Sequence, residues 1–448
     1  MLLWDKRTVA LLANLTPEFR KILGNTGWLM ADRVLRMGVG LFVGVWVARY
    51  LGPAQFGSLN FALSYIALFG SLTTLGLDGI VIREIVADSR NTYGILGSTL
   101  TLRIGGAFLA LLASLVIIHL IELNDPMALT LVSIVAIGLI FQAFDTIDSY
   151  FQSQVQSKFS VWAKNVAFLV VAGLRILLIY LKAPVWAFAV AGVTELALGA
   201  IALWVAYGMV GGSLLRWRTS WKMSVDLLKQ GWPLVLSGMA IMIYMRIDMV
   251  MLKLMKGDAA AGLYAAATKV SEVWYFIAIA IVSSVSPAIM RSRGDPQLYY
   301  DRLRTLFSVM ILISVTIGSC IALASHRIME LLYSAPYIAA APVLAVHIWA
   351  SVFVFLGVAQ SPWDISENFL KLALYRTVAG AIANVVINLF LIPRYAALGA
   401  AIATVVSYAI SSFVANAFDA RTRPIFFLQL KSVIPNLQSM EDSLRRNA

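Results

Sequence analysis

The sequence is poor in charge and almost free of cysteine. Only 13% of its 448 residues are Asp, Glu, Lys or Arg, against about a quarter in a soluble globular chain, while 60% are hydrophobic. The single cysteine, Cys320, falls in an apolar run, which excludes an intrachain disulfide and signals no metal cluster. The three histidines, His119, His326 and His347, share no ligand spacing. No Walker-type phosphate loop or nucleophile–base set is present, so ATP-driven work by this chain alone is not expected. Residues 1–25 mix charges with apolar residues and lack a separate hydrophobic core and cleavage site, so they do not read as a cleavable signal peptide. Leu12, Leu15, Phe19, Ile22 and Leu23 recur at helical spacing, which suits a helix lying on a membrane surface. The net charge of +12 would suit nucleic acid if it formed one patch. Instead the basic residues lie between hydrophobic runs, the pattern of a polytopic membrane protein, and no nucleic-acid partner is expected.

What the chain has is hydrophobic length. A helix needs about 20 apolar residues to cross the bilayer core. Twelve such stretches fall near 27–48, 58–82, 98–121, 127–150, 164–182, 184–207, 230–254, 259–288, 305–325, 337–360, 372–392 and 396–418. With mean hydropathy at +0.83, the apolar surplus has to face lipid. The expectation is an all-α membrane protein of about twelve transmembrane helices. It divides into an interfacial segment 1–26, spans one to six over 27–207, a linker over 208–229, spans seven to twelve over 230–418 and a tail over 419–448. No connection is long enough to hold a soluble catalytic domain.

Orientation follows from the basic residues. Twenty-three lysines and arginines lie on the side shared by the two termini, and six (Arg49, Lys182, Lys253, Lys256, Arg327 and Arg394) lie on the other. Lysine and arginine in short loops mark the cytoplasmic side, so both termini are expected there. Six basic residues remain within or near the spans: Arg33, Arg36, Arg103, Arg175, Arg246 and Lys269. Arg103 stands close enough to a span end to snorkel toward water. Intramembrane cations are costly and face a bundle interior or a watery cavity, so these positions are where function should lie.

The two halves also repeat. GPAQFGSLNFA at 52–62 matches GDAAAGLYAAA at 257–267, pairing Gly52 with Gly257 and Gly57 with Gly262. The hairpin of spans five and six similarly echoes that of eleven and twelve. An offset of six spans keeps both halves in one orientation, which predicts two six-helix lobes related about the membrane normal with a cleft between them.

W28-x-x-x-D-R-x-x-R36, then A-R-Y-L-G-P-A-Q-F-G over 48–57 and G-L-D-G-I-V-I-R-E-I over 76–85, resemble the N-terminal third of Wzx-type polysaccharide flippases. These belong to the multidrug/oligosaccharidyl-lipid/polysaccharide exporter superfamily. N-V-V-I-N-L-F-L-I-P-R-Y-A-A-L-G-A-A-I-A-T over 384–404 resembles the family's last two helices. The resemblance implies a V-shaped pair of lobes, a MATE-like fold, in the inner membrane of a bacterial cell. It implies a cargo of undecaprenyl-diphosphate-linked oligosaccharide, moved from the cytoplasmic to the outer leaflet. The two extra helices usual in lipid II flippases are not found here. That favours an O-antigen, capsule or exopolysaccharide repeat unit over the peptidoglycan precursor. Membrane lipid is the other implied partner; a polysaccharide polymerase and chain-length machinery stay open, since nothing in the sequence names them.

Such a cargo gives the intramembrane cations a task, because arginine forks bind phosphate oxygens bidentately. Arg33 and Arg36 lie three residues apart on one helix face, about 9–14 Å in from the cytoplasmic end. Arg246 and Lys269 fall in the outer half. The first pair is expected to take the diphosphate from the inner leaflet, and the second to hold it nearer the outside. Charge partners are also predicted: Asp32 for Arg36, Asp248 for Arg246, Glu272 for Lys269 and Glu195 for Arg175. Glu195 and Asp248 stand deep enough for burial to disfavour their charged forms, so either is a candidate to carry a proton or sodium ion and couple transport to a gradient. No other cofactor is expected. Asn384 and Asn388 share a face of span eleven and should hydrogen-bond between helices.

Two other classes fit less well. A multidrug antiporter of the same superfamily would share the fold but line its cavity with carboxylates for cationic drugs. A membrane polymerase acting on the same lipid-linked sugar would need a sizeable loop for its acceptor site, and every loop here is short.

Overall fold

The computed structural model describes residues 17–122 and 125–433. The expectations for residues 1–16 and for the tail beyond 433, with Arg445 and Arg446, lie outside the described residues. Within them the chain is helical, with no strand. Nine described helices are long and apolar enough to cross a bilayer, and the bent pair Ala335–His347 and Ala350–Ser366 makes a tenth. Two of the nine are hairpins.

Pro17–Ala67 would be about 77 Å long as one rod, well over twice the bilayer core. It breaks at Gly52 (φ 71°, ψ 170°), a backbone conformation glycine adopts without steric cost, just before Pro53. The chain then turns back on itself. The Lys269 ammonium lies 4.5 Å from the Phe56 ring centre and close beside the backbone of Gly44. A continuous helix would hold residues 44 and 56 about 18 Å apart. Leu370–Ser412 breaks likewise at Ala396. Past that break a Cβ on Gly399 would overlap the Leu391 carbonyl, and Asn388 and Thr404 bond one carboxylate. Dividing these two hairpins restores the twelve spans read from the sequence. The start of span one differs from the expectation of a separate surface helix, because the helix runs unbroken from Pro17 into the span.

The repeat is visible in the backbone. Gly257, between Trp221–Lys256 (span seven) and Asp258–Glu272 (span eight), has φ 83° and ψ 178°, nearly the values of Gly52. Spans two and eight cross there at small residues. A Cβ on Gly57 would overlap the Asp258 carbonyl, and a Cβ on Gly262 would overlap that of Pro53. Position 258 is 53 displaced by the same 205 residues as 262 from 57. The crossing is therefore reciprocal, as a two-fold relation between the halves requires.

The packing makes the V. One large core cluster joins both lobes around the Gly52 end, with Phe56, Phe61 and Leu131 from the first half and Leu252, Tyr264 and Tyr333 from the second. Toward the end that bears the 208–229 linker the cores separate except along span seven, where Leu227 packs with Leu77, Ile80 and Leu96 of the first lobe and a Cβ on Gly231 would overlap the Leu75 carbonyl. Ile147, Phe151, Leu203 and Tyr207 pack within the first lobe, and Phe307, Phe355, Trp363 and Ile425 within the second. Spans seven and eight have only 17% of their apolar windows buried. A cleft thus runs into the molecule from the linker end, closed along span seven by its contact with the first lobe, and stops at the Gly52 end.

Local chemistry sets several boundaries. Asp125 and Asp295 each precede a proline and cap the following helix, bonding the amides of Ala128 and of Gln297 and Leu298. Arg376, one of the twenty-three basic residues read for orientation, is 9% exposed and paired with Asp364 at 2.6 Å. Gln429 of the short helix Arg423–Lys431 joins the same buried network through Gln360 and Asn416. A buried arginine needs such partners, and the network ties the end of the described chain to the second lobe. Arg103 does not snorkel either: it is fully enclosed and pairs with Asp78.

Candidate functional site

Charged side chains from both lobes converge about midway along the cleft. Arg36 of span one bonds Asp32, one turn earlier, at 2.9 Å and approaches Glu195 of span six at 3.6 Å. Arg175 of span five takes the other oxygen of Glu195 at 3.1 Å. The Arg36 guanidinium also lies 5.0 Å from the centre of the Phe168 ring. In the second lobe Arg246 pairs with Glu272 at 3.6 Å. Lys269 has no carboxylate within ion-pair distance among the described residues. Its ammonium sits over Phe56 of the first lobe, within electrostatic reach of Arg175, Arg246 and Glu272. Arg246 stands eleven residues and Lys269 twelve from the Gly257 turn, about 16–18 Å along their helices and near the middle of a bilayer. These groups keep partial exposure, so water and a polar cargo can reach them.

The arrangement corrects the predicted partners in two places. Arg246 does not pair with Asp248, because residues two apart on a helix point in nearly opposite directions. Its partner is Glu272, across the span seven–eight hairpin. Glu272 in turn is not held by Lys269, which points to Phe56. The inner and outer pairs of cations also prove to be unequal. Arg36, Arg175, Arg246 and Lys269 form one mid-depth cluster, while Arg33 is exposed nearer the linker end and joins no ion pair among the described residues.

Behind this cluster Asp248 is 2% exposed. It accepts from Tyr264 of span eight at 2.9 Å, Thr404 of span twelve at 2.6 Å and Asn388 of span eleven at 2.6 Å. Asn388 also donates to Asn384 at 2.9 Å, the interhelical role expected of that face being met through Asp248. A cavity of about 20 Å³, room for a water or a small ion, connects Asp248 to the Arg246–Glu272 pair. Its wall includes His347 and, from the first lobe, Ser64. The Asn388 amide oxygen is buried without a donor. A carboxylate and two hydroxyls form a donor set that suits a proton or a small hard cation. Tyr264 and Thr404 were not singled out from the sequence; Tyr264 sits in the repeated segment 257–267, the one signal that pointed near it.

The helices and the charged cleft together define a multi-pass membrane protein with a polar interior. Residues 22–293 match the family model of polysaccharide biosynthesis proteins, and the chain belongs to that family. Among solved structures it resembles the lipid II flippase MurJ in an inward closed conformation, with TM-score 0.71, 14% identity, and 92% of this chain and 91% of that one covered. It also resembles an inward-facing multidrug resistance MATE transporter of the MOP superfamily, with TM-score 0.67, 16% identity, and 90% and 100% covered. A MOP superfamily transporter from Pyrococcus furiosus, described by the reverse polarity of its binding pocket, aligns with TM-score 0.62, 14% identity, and 91% and 96% covered. No curated protein sequence matches. The likeness to these structures establishes a MOP-type, MATE-like fold.

Proposed function

We propose that this chain flips a polyprenyl-diphosphate-linked oligosaccharide repeat unit from the cytoplasmic to the outer leaflet and catalyses no covalent step. The observation that carries this reading is the cluster of Arg36, Arg175, Arg246 and Lys269 at mid-depth in a cleft shared by two lobes. A prenyl tail can stay in lipid while the diphosphate and sugars cross through the cleft, where fixed cations replace the water lost by the phosphates. Glu195 and Glu272 hold the arginines until a phosphate displaces them, which lowers the cost of an empty cationic cavity. Family membership and the MurJ-like fold support this cargo over a cationic drug. The cargo is then an undecaprenyl-diphosphate O-antigen, capsule or exopolysaccharide unit, handled in a bacterial inner membrane with both termini in the cytoplasm. In that orientation the cleft opens to the cytoplasm and the Gly52 end is the outer one.

Asp248 supplies the coupling site in this reading. A proton or sodium ion held by Asp248, Tyr264 and Thr404 would sense the Arg246–Glu272 pair through the cavity between them. Arg33, exposed near the linker end, takes the cargo first. The test is flipping of a purified undecaprenyl-diphosphate oligosaccharide in proteoliposomes by the parent chain and by the Arg33→Ala/Arg36→Ala variant. Flipping by the parent and a loss on the order of tenfold or more in a well-folded variant is expected, since each charge-assisted phosphate contact contributes about 1.5–3 kcal/mol. Absence of flipping by either, with drug efflux from the same vesicles, would overturn the reading in favour of an antiporter.

A further inference from the structure

The Gly52 end is held shut by more than apolar packing. Lys253, near the end of span seven in the second lobe, is 5% exposed and bonds two carboxylates of the first lobe, Glu122 and Asp125, at 2.8 Å each. Its ammonium also lies 5.0 Å from the centre of the Phe61 ring, again in the first lobe. Arg49, near the end of span one in the first lobe, does the converse. Its guanidinium donates to the carbonyls of Leu331 and Leu332 at the end of Pro296–Tyr333, span nine of the second lobe. The adjacent Ala48 carbonyl accepts from Tyr337 of the second lobe at 2.8 Å.

The two cations are nearly equivalent in the repeat: 49 displaced by 205 is 254, beside Lys253. Their targets are equivalent too, since Glu122 ends span three and Leu331 and Leu332 end span nine, six spans later. Each lobe therefore extends one cation from its first span to the end of the third span of the other lobe. Residues 49 and 253 count among the few basic residues on that side, and neither faces the cargo cluster.

We propose that Lys253 and Arg49 form a reciprocal double latch that keeps the Gly52 end closed, and that the latch sets how often that end opens. The inference goes beyond cargo translocation, because it concerns the resting state and holds whatever the cargo is. The two halves of the latch are not equal in kind. Arg49 grips backbone carbonyls, which no side-chain change removes, and its hold breaks only when the lobes part. Lys253 grips side-chain carboxylates with an aromatic face behind it, an arrangement that depends on charge. Removing the lysine leaves Glu122 and Asp125 facing each other without a counter-charge, which favours separation.

The test is a distance measurement between spin labels at Leu120→Cys and Leu331→Cys in a Cys320→Ser background. Both leucines are exposed, one on each lobe at this end. The parent should give one short distance. Lys253→Met should add a longer population, at least fivefold above that of the parent, and adding Arg49→Met should enlarge it further. Glu122→Gln/Asp125→Asn, which frees the lysine without removing it, should act as Lys253→Met does and serves if that variant folds poorly. Glu122→Lys with Lys253→Glu should restore the short distance. An unchanged distribution in Lys253→Met and in the carboxylate variant would overturn the latch. So would a shift that the charge exchange does not reverse, since that would assign the effect to packing.

Discussion

Lys269→Met is expected to lower the flipping rate on the order of tenfold to a hundredfold while leaving yield and fold unchanged. Lys269 is the mid-depth cation without a carboxylate among the described residues, so no partner is stranded when it goes. Its ammonium contacts the Phe56 ring and approaches Gly44, both of the opposite lobe, and so lies where the lobes meet. A charge-assisted bond to phosphate is worth about 1.5–3 kcal/mol, which fixes the range of the loss. Lys269→Arg should recover most of the rate, because the charge and the aromatic contact both survive. Flipping assays on purified variants with matched thermal stability would check this. A methionine variant that flips at the parent rate would remove Lys269 from the cargo path.

Asp248→Asn should uncouple transport from the ion gradient. The side chain keeps its size, yet Tyr264, Thr404 and Asn388 now meet an amide that can accept through only one oxygen. The expected result is flipping at the rate the parent shows without a gradient, a fall of about tenfold when a proton or sodium gradient is imposed. An Asp248→Asn protein whose rate still rises with either gradient would place coupling elsewhere, Glu195 being the other carboxylate to examine. The same variant should retain cargo binding, because Arg246 is held by Glu272 and not by Asp248.

The features readable in the sequence were those with a local or periodic cause. Hydrophobic length marks the spans, and the Gly52 and Gly257 segments mark the repeat that their matching backbone angles bear out. Asp32 and Arg36 meet because four residues make one helical turn. Arg175 and Glu195 meet because spans five and six are a hairpin. What escaped was what depends on how spans far apart in sequence pack. Asp248 could be read as a coupling candidate from its depth, but two of its partners come from 140 and 156 residues away, and nothing at position 248 names them. Lys253 counted only toward orientation, since its targets at 122 and 125 belong to the other lobe. The hairpin break at Ala396 carries no glycine, so its turn was visible only as a gap between apolar runs.

The measurement that tests the central claim most directly is photo-cross-linking of the cargo from position 56. Phe56 touches Lys269 at the point where the lobes meet, so a photoreactive phenylalanine analogue there would report what enters the cationic cluster. The account predicts cross-links to a radiolabelled polyprenyl-diphosphate oligosaccharide, diminished by unlabelled diphosphate cargo and unaffected by a cationic drug. Cross-links that the drug abolishes and the lipid-linked sugar does not would contradict it.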